Sequence, residues 1–300
     1  MAERFLVVNE KLSAASKGDA PEELLFTYKG MLFPSMLCSP ETFQALDTFQ
    51  HRTDDLFAVC YPKCGMNWTI HILQDLIYSV HGKELPTYMP ILEFGKPDTF
   101  ETFNKMPSPR VLTTHLRRDF IPKSVEANKV KTLVVFRNPK DTAVSMFHFY
   151  NGLSILPNYS SWDEWFTQFL SGKVMWGSWF EYATSWKERA EDENVLFIMF
   201  EDMKADLAAA VKKIADFFGL NLTEEQIRLI TERGHFKAMK EKSPESHGDL
   251  GTHVFRKGDV GDWKNYFTEA QSQAMDAKFE ECLGGTKLGE LMNYRVHCKS

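Results

Sequence analysis

The sequence lacks a hydrophobic run long enough to cross a membrane. Its most apolar stretch, residues 195–200, reads VLFIMF, whereas a membrane-spanning helix needs about 18 or more such residues. The opening Met-Ala-Glu-Arg-Phe carries no apolar secretory segment. The 5 cysteines are odd in number and irregularly spaced, which is not the pattern of a disulfide framework. We therefore expect a cytoplasmic protein without a membrane partner.

The chain also lacks an excess of positive charge. Its 35 Lys and Arg residues are outnumbered by 41 Asp and Glu residues, so the formal net charge is −6. Nucleic-acid-binding domains are usually basic, and we expect no nucleic-acid partner. Any anion site must be a local cluster. A chain of 300 residues that is 43% hydrophobic fits one α/β unit, so we predict a single domain over residues 1–300 with a motif-bearing core at about 50–290.

Hydrophobic patterns predict alternating strands and helices. Continuous apolar runs predict buried strands, and apolar residues at helical spacing predict helices. The predicted strands are residues 55–61, 111–114, 131–136 and 194–200. The predicted helices are residues 66–80, 138–150, 179–190 and 207–218, followed by one that begins at Thr223 with Gln226 in a capping box. This order predicts the α/β class, with a central parallel sheet flanked by helices on both faces.

Three segments carry no such pattern. Residues 82–110 contain five prolines and residues 240–262 are rich in Gly, Ser and charge, so both are predicted to be long irregular segments. The pattern of residues 1–50 is mixed and assigns no element. Parallel sheets bind ligands beyond the carboxyl ends of their strands, where the candidate motifs fall.

A first candidate anion site is the turn from Lys63 to Trp68. Gly65 lets the backbone approach a ligand, and the amides after it form an open helix N-terminus that favours an anion. The alternative is an ordinary strand–helix turn with a solvated lysine. The order of a Walker A loop is missing, which argues against an ATPase.

Two further basic groups could hold phosphate. Arg137 stands at a strand end, with Ser145 on the following helix, and both could donate to one phosphate. Arg256 and Lys257 precede Gly258 in a predicted loop, and two adjacent cations either face solvent or bind an anion. A structural pairing of Arg137 with Asp141 remains an alternative for the first group.

A candidate general base follows another strand. His115 comes directly after residues 111–114, and a histidine is a suitable proton acceptor for a hydroxyl nucleophile near neutral pH. The alternative is a structural histidine. We find no set of residues with metal-ligand spacing, since Cys60 and Cys64 lack partners at zinc-type intervals.

Taken together, these segments resemble the cytosolic sulfotransferase family in order and approximate spacing. The matching segments are Tyr61-Pro62-Lys63-Cys64-Gly65-Met66-Asn67-Trp68, Pro107-Ser108-Pro109-Arg110, Thr114-His115-Leu116, Arg137-Asn138-Pro139-Lys140-Asp141 with Ser145, Glu201-Asp202-Met203-Lys204, and Arg256-Lys257-Gly258-Asp259-Val260-Gly261-Asp262-Trp263. Six matches in sequence are far more specific than any one of them. Departures from the family pattern suggest a divergent branch such as the sixth family.

The resemblance implies a sulfotransferase that uses 3′-phosphoadenylyl sulfate (PAPS) and releases adenosine 3′,5′-bisphosphate (PAP), without a metal. It implies that Lys63 and the amides of residues 64–68 (Cys64, Gly65, Met66, Asn67 and Trp68) hold the 5′-phosphosulfate. It implies that the 3′-phosphate is held by Arg137, Ser145, Arg256, Lys257 and Gly258. Trp68 and Phe236 would border adenine. The remaining donor-site positions are Phe200, His235, Met239 and Phe255.

The resemblance further implies that His115 deprotonates the acceptor hydroxyl and that Lys63 meets the leaving oxygen. The acceptor would be a small apolar phenol, iodothyronine or steroid-like molecule. The candidate acceptor-site residues are Thr113, Phe33, Phe94, Phe149 and Trp176. They are hypotheses, because aromatic residues at such positions often belong to the core.

Several positions differ from the family pattern. Cys64 and Met66 replace two hydroxyl residues, and losing one hydrogen bond to a charged group costs roughly 1.5–3 kcal/mol. Thr113 and Phe200 replace a usual lysine and tyrosine. In the family's dimer motif Lys264 and Thr268 match, whereas Glu269 and Gln273 replace Val and Glu, so a homodimer is left open.

Two other functions fit parts of the pattern. A P-loop kinase would need ATP and Mg²⁺, and the missing Walker signature argues against it. A nucleotide-binding protein of the same fold without turnover would not need both Lys63 and His115, whose presence favours an enzyme.

Overall fold

The structure is a computed structural model that describes residues 23–82, 90–244 and 250–299. Part of the predicted irregular segment at 82–110, and part of that at 240–262, lie outside these ranges. The strands, in chain order, are β1 (Leu25–Tyr28), β2 (Met31–Pro34), β3 (Leu56–Cys60), β4 (Val111–Thr114), β5 (Thr132–Phe136) and β6 (Val195–Met199).

Helices occupy most of the remaining described chain. They are α1 (Pro40–Leu46), α2 (Met66–His81), α3 (Thr99–Lys105), α4 (Ser124–Ala127), α5 (Pro139–Gly152), α6 (Trp162–Leu170), α7 (Trp179–Trp186), α8 (Phe200–Ala205), α9 (Leu207–Phe218), α10 (Glu224–Gly234), α11 (Phe236–Glu241), α12 (Leu250–Val254), α13 (Glu269–Leu283), α14 (Lys287–Leu291) and α15 (Tyr294–Cys298). Short 3₁₀ turns cover Arg118–Phe120, Lys187–Arg189 and Asp262–Asn265. No helix in these ranges is long and apolar enough to span a bilayer.

The four predicted strands form one parallel sheet in the order β4-β3-β5-β6. Val59 of β3 lies opposite Thr114 of β4 and Val134 of β5. Every residue of β3 and β5 is buried, which accounts for their continuous apolar sequences because both faces of a central parallel strand are covered. The predicted α/β class with a helix-flanked parallel sheet is confirmed.

The two helices that follow β3 and β5 begin differently. At α5 the Asn138 side chain accepts the Asp141 N–H and Pro139 occupies the first turn, as its sequence predicts. At α2 the N-cap is Gly65, with φ of 115° and no side-chain cap. The first amides of α2 therefore carry no hydrogen bond from a capping side chain.

The prediction of irregular structure at 82–110 and 240–262 is wrong in part. Within the first segment, α3 forms because Phe100 and Phe103, three residues apart, pack on Phe49. Within the second, α12 packs against α5. Both helices are short and depend on these tertiary contacts rather than on a long periodic pattern. The predicted helix at 179–190 ends as α7 at Trp186 and continues as a 3₁₀ turn.

The mixed sequence before residue 50 contains a hairpin. In it β1 and β2 pair antiparallel, with Phe26 opposite Phe33. Phe33 packs against Phe43 of α1 at a ring-centroid distance of 4.5 Å. Residues 1–22 of this segment lie outside the described ranges.

Candidate functional site

A cleft runs along the carboxyl ends of the four parallel strands. Each strand is followed at this edge by one residue of its wall, with Lys63 three residues beyond β3, His115 directly after β4, Arg137 after β5 and Phe200 after β6. The cleft encloses about 1250 Å³, including solvent space at its mouth. This is where an open parallel sheet binds ligands, and the predicted donor and acceptor motifs meet here.

The turn between β3 and α2 forms one end of the cleft. Lys63 and Gly65 both have positive φ, 67° and 115°, and a Cβ on Gly65 would lie 3.2 Å from the Phe200 ring. Glycine is therefore favoured at 65 by its backbone conformation and by close packing. The resulting turn brings Gly65, Met66, Asn67 and Trp68 to the cleft wall.

The Lys63 ammonium group lies between the donor motifs and the aromatic part of the cleft. Its Nζ is 4.1 Å from the centroid of the Phe149 ring and donates to the carbonyl oxygen of His253 at 3.3 Å. Burial, with the nearby charges of Arg137 and Arg256, lowers the pKa of Lys63 to about 7. An anion placed beside these groups would stabilise the charged lysine.

Arg137 is fixed in the cleft by main-chain acceptors. Its guanidinium donates to the carbonyl oxygens of Lys63 at 3.3 Å and Asp259 at 2.8 Å, and it lies 4.5 Å above the Phe200 ring. The Arg137 side chain is 8% exposed, and its buried Nε has no hydrogen-bond partner in the described part of the chain. An unpaired donor on a buried cation fits an anionic ligand.

The Arg256-Lys257-Gly258 segment lines the cleft beside Arg137. Asp262 accepts from Arg256 at 2.5 Å and from Lys257 at 2.6 Å, so it holds the two cations together. Burial opposes ionisation of Asp262, but these hydrogen bonds outweigh it and keep its pKa at about 2. Gly258 has φ of 67°, and a Cβ there would lie 2.3 Å from the Phe236 ring.

The electrostatics of the cleft wall are one-sided. Four cationic side chains line it, those of Lys63, Arg137, Arg256 and Lys257, and no Asp or Glu does so among the described residues. Asp262 already pairs with two of them, Arg256 and Lys257, and an anion bound in the cleft would offset the charges of the other two, Lys63 and Arg137. The described residues also contain no group of His, Cys, Asp and Glu that could hold a metal ion.

Aromatic rings border the space between these cations. Trp68 packs edge-on against Phe200 at 5.3 Å, and its indole N–H donates to the carbonyl oxygen of Gly234 at 2.7 Å. Phe236 and Phe255 lie 6.0 Å apart. Ser145, Met239 and both of these phenylalanines line the cleft, as the resemblance implies.

His115 faces the cleft at the end of β4. Its Nδ1 lies 2.6 Å from the carbonyl oxygen of Cys60, and because a carbonyl only accepts, Nδ1 carries the hydrogen. The lone pair of the neutral ring is then on Nε2. Burial, reinforced by the charge of Lys63, lowers the pKa of His115 to about 4, so the imidazole is neutral at pH 7.

The cleft beyond His115 is apolar. Three of the candidate acceptor-site residues, Phe94, Phe149 and Trp176, line it. Non-aromatic apolar residues complete this wall and were not predicted from the sequence; they are Leu37, Ile91, Leu153, Ile155, Leu156, Met175, Leu250 and Val254. One signal was available, since residues 153–156 (LSIL) directly follow α5.

Four candidate residues are not brought to the cleft wall. Phe33 is fully buried and lies behind Trp176, edge to face at 6.1 Å. The Thr113 side chain donates to the carbonyl oxygen of Pro90 at 2.9 Å. The buried Cys64 thiol lies 3.4 Å from the Thr142 hydroxyl, so this side chain does not line the cleft. His235 is exposed at the start of α11.

A buried carboxylate behind the wall was also missed. Glu93 is 0% exposed, and its oxygens accept from the Thr114 hydroxyl at 2.7 Å and the His115 N–H at 2.8 Å. The indole N–H of Trp176 also donates to Glu93, at 3.2 Å. A single glutamate in a proline-rich segment gives no sequence signal for this arrangement.

Comparison with protein families identifies the chemistry of such a cleft. A family model described as "Sulfotransferase domain" matches residues 53–287. "Sulfotransferase 6B1" of Homo sapiens is 48% identical over 298 residues, which cover 99% of this chain and 98% of that protein. "Sulfotransferase 6B1" of Danio rerio is 47% identical over 280 residues, which cover 93% of this chain and 95% of that protein.

Solved structures agree with these relatives. Mouse sulfotransferase SULT7A1, determined in complex with PAP, superposes with a TM-score of 0.80 at 36% sequence identity, covering 90% of this chain and 99% of that one. Retinol dehydratase in complex with androsterone and PAP gives a TM-score of 0.70 at 22% identity, covering 95% of this chain and 96% of that chain. At that identity the likeness supports the fold alone.

Proposed function

This chain belongs to the sulfotransferase family and is a PAPS-dependent sulfotransferase, and from that premise we propose its acceptor class and the roles of its residues. The acceptor is a hydroxyl on a small, uncharged, largely apolar molecule such as a phenol, an iodothyronine or a steroid-like alcohol. We place the reaction in the cytoplasm, in keeping with a resemblance to the cytosolic family. A homodimer remains a prediction, and Glu269 and Gln273 of its altered motif hydrogen-bond each other on the exposed start of α13.

One observation carries the donor part of the proposal. The cleft gathers four cations and no lining carboxylate among its described residues, which suits a ligand with phosphate at both ends. In our proposal Lys63 and the uncapped amides of α2 bind the 5′-phosphosulfate. The 3′-phosphate is bound by Arg137, whose Nε has no hydrogen-bond partner among the described residues, together with Ser145, Arg256, Lys257 and the backbone at Gly258. Trp68, Phe200, Phe236, Met239 and Phe255 border the adenosine.

The proton transfer is assigned to His115. With Nδ1–H donated to the carbonyl of Cys60, the ring is held in the tautomer whose Nε2 can accept the proton of an acceptor hydroxyl. The low pKa of His115, about 4, keeps it unprotonated at neutral pH. The donor supplies the sulfonate group. Lys63 is positioned to neutralise the negative charge that develops on the donor's 5′-phosphate oxygen as the sulfonate group leaves it.

The acceptor class follows from the wall beyond His115. Phe94, Phe149 and Trp176 present rings to this space, and the other residues there are aliphatic. Burying an ammonium or carboxylate against such a wall would carry a large desolvation cost. An uncharged acceptor whose hydroxyl reaches His115 fits this part of the cleft.

The test combines binding and turnover. Calorimetry should detect PAP binding to the wild type, and labelled PAPS should transfer label to phenols, iodothyronines or steroids in the presence of EDTA. His115→Ala should lower the rate of transfer about 10²- to 10⁴-fold, the usual contribution of a general base. Its PAP affinity should stay within about twofold of wild type, because His115 is not one of the residues that bind the donor in our proposal. His81→Ala, at the exposed end of α2, serves as the control.

Other outcomes favour the other functions. Transfer by His115→Ala at the wild-type rate would exclude His115 as the base. Tight PAP binding without transfer to any acceptor would favour a nucleotide-binding protein. Transfer from ATP that EDTA abolishes would favour a kinase.

A further inference from the structure

We propose that Glu93 is a positioning residue that fixes the acceptor wall relative to the strand end carrying His115, by holding the Trp176 indole and the His115 main chain with one carboxylate. The inference rests on the proposed function, because it concerns the acceptor side of the same cleft. Glu93 itself does not line the cleft. Its effect on the reaction must therefore pass through the groups that it holds.

The two carboxylate oxygens of Glu93 connect separate segments. Oε1 accepts from the His115 main chain at 2.8 Å and from the Trp176 indole at 3.2 Å. Oε2 accepts from the Thr114 hydroxyl at 2.7 Å, which itself accepts the N–H of Leu116 at 3.1 Å. One side chain thus joins the end of β4 to the loop before α7, 83 residues from Glu93 along the chain.

Trp176 needs such support because its backbone is strained. It has φ of 62°, a left-handed conformation that is strained for a bulky residue. Its main-chain N–H donates to the carbonyl oxygen of Leu32 in β2 at 2.8 Å. The backbone is therefore held by the hairpin, and the indole is held by Glu93.

The conformation of Trp176 determines what an acceptor meets beside the base. Its ring lies edge-on to the His115 ring at 5.4 Å and tilted against Phe94 at 6.1 Å. A rotation of the indole away from Glu93 would change the wall on which an acceptor packs while its hydroxyl reaches His115. Orientation of this kind contributes to both acceptor binding and rate.

A purely electrostatic role for Glu93 is less consistent with the contacts. A counter-ion for the cations of the cleft would line the cleft or pair with one of them. The three hydrogen bonds that described residues donate to Glu93 come instead from neutral groups. Burying a carboxylate is costly unless it is well hydrogen-bonded. These contacts therefore favour a role in which Glu93 orients the groups that donate to it.

The kinetic test is a double-mutant cycle. Glu93→Gln keeps the side-chain shape but weakens the hydrogen bond to Trp176, and Trp176→Phe removes that hydrogen bond. Each should raise the KM for a two-ring phenol about fivefold, within the range of the net contribution of one hydrogen bond, while the Kd for PAP stays within about twofold. If Glu93 acts on acceptor binding through Trp176, the double variant should show the KM of Trp176→Phe alone. Effects on KM that multiply would overturn the proposal.

A spectroscopic test does not depend on turnover. In protein labelled with 5-fluorotryptophan, ¹⁹F NMR should show signals from 7 tryptophans, and Trp176→Phe identifies the signal of Trp176. Glu93→Gln should shift that signal, and Glu101→Gln, an exposed glutamate in α3, should not. An unshifted Trp176 signal in Glu93→Gln would refute the coupling even in an active enzyme. An inactive wild type would instead contradict the proposed function.

Discussion

The buried Glu93 gives a specific prediction for stability against pH. Burial raises the pKa of Glu93 to about 7, from an ordinary value of 4.5, although hydrogen bonds from Thr114 and His115 act to lower it. The folded protein then binds this proton more tightly than the unfolded chain does. The contribution of Glu93 to stability is present in full below pH 4.5 and is lost as the pH rises to 7.

The size of the effect follows from the shift. One pKa unit corresponds to about 1.36 kcal/mol. Between pH 5 and pH 8 the free energy of unfolding of the wild type should therefore fall by roughly 2–3 kcal/mol relative to that of Glu93→Gln. The amide of the variant does not titrate, so it provides the reference. Urea denaturation of both proteins at several pH values measures this difference. Other titrating groups, Lys63 included, are common to both proteins and cancel. Parallel curves would mean that the three hydrogen bonds to Glu93 outweigh its burial.

Two further predictions concern positions at opposite ends of the sheet. Gly258→Ala should weaken PAP binding by at least about tenfold, equivalent to about 1.4 kcal/mol, because a Cβ there would lie 2.3 Å from the Phe236 ring. Gly261→Ala is the control for backbone strain alone, since Gly261 has φ of 92° and no atom within 4 Å of its Cβ. Equal PAP affinities of the two variants would refute the steric argument. Arg110→Met should lower the free energy of unfolding by about 3–5 kcal/mol, because it strands Asp55, whose side chain and that of Arg110 are both 0% exposed in their ion pair. Arg110 immediately precedes β4 and Asp55 immediately precedes β3. A decrease in the free energy of unfolding smaller than about 1 kcal/mol would contradict the reasoning that the buried pair stabilises the fold.

The proposed donor side of the cleft was predictable because its residues lie in a few short segments, each continuous in sequence. Lys63 to Trp68 form a strand–helix turn, and Arg256 to Gly258 form a short loop, so each site is determined largely by local backbone conformation. Gly65 and Gly258 have the positive φ that their places in these turns require. Arg137 follows a strand that its apolar sequence already predicts. The local sequence and the predicted strand positions were together sufficient to predict that these groups lie at one edge of the sheet.

The acceptor side was predictable only in part. Its wall combines single apolar residues from separate segments, such as Leu37, Ile91 and Met175, and nothing in an apolar residue's sequence context distinguishes a cavity wall from a core. Phe33 illustrates the difficulty, since it contacts Trp176 yet is fully buried one layer behind it. A difference of one packing layer is decided by tertiary structure alone.

The buried Glu93 was the hardest residue to predict, and it lies between the two sides of the cleft. All four cations that line the cleft belong to the proposed donor site, whereas the acceptor wall is apolar apart from His115 and Lys63. Substitutions in the apolar wall should therefore change acceptor choice without a large electrostatic effect on the donor. Glu93 lies behind the boundary between these regions and is joined to His115 and Trp176. If Glu93 positions both groups as we propose, a substitution at Glu93 should change acceptor choice and rate together.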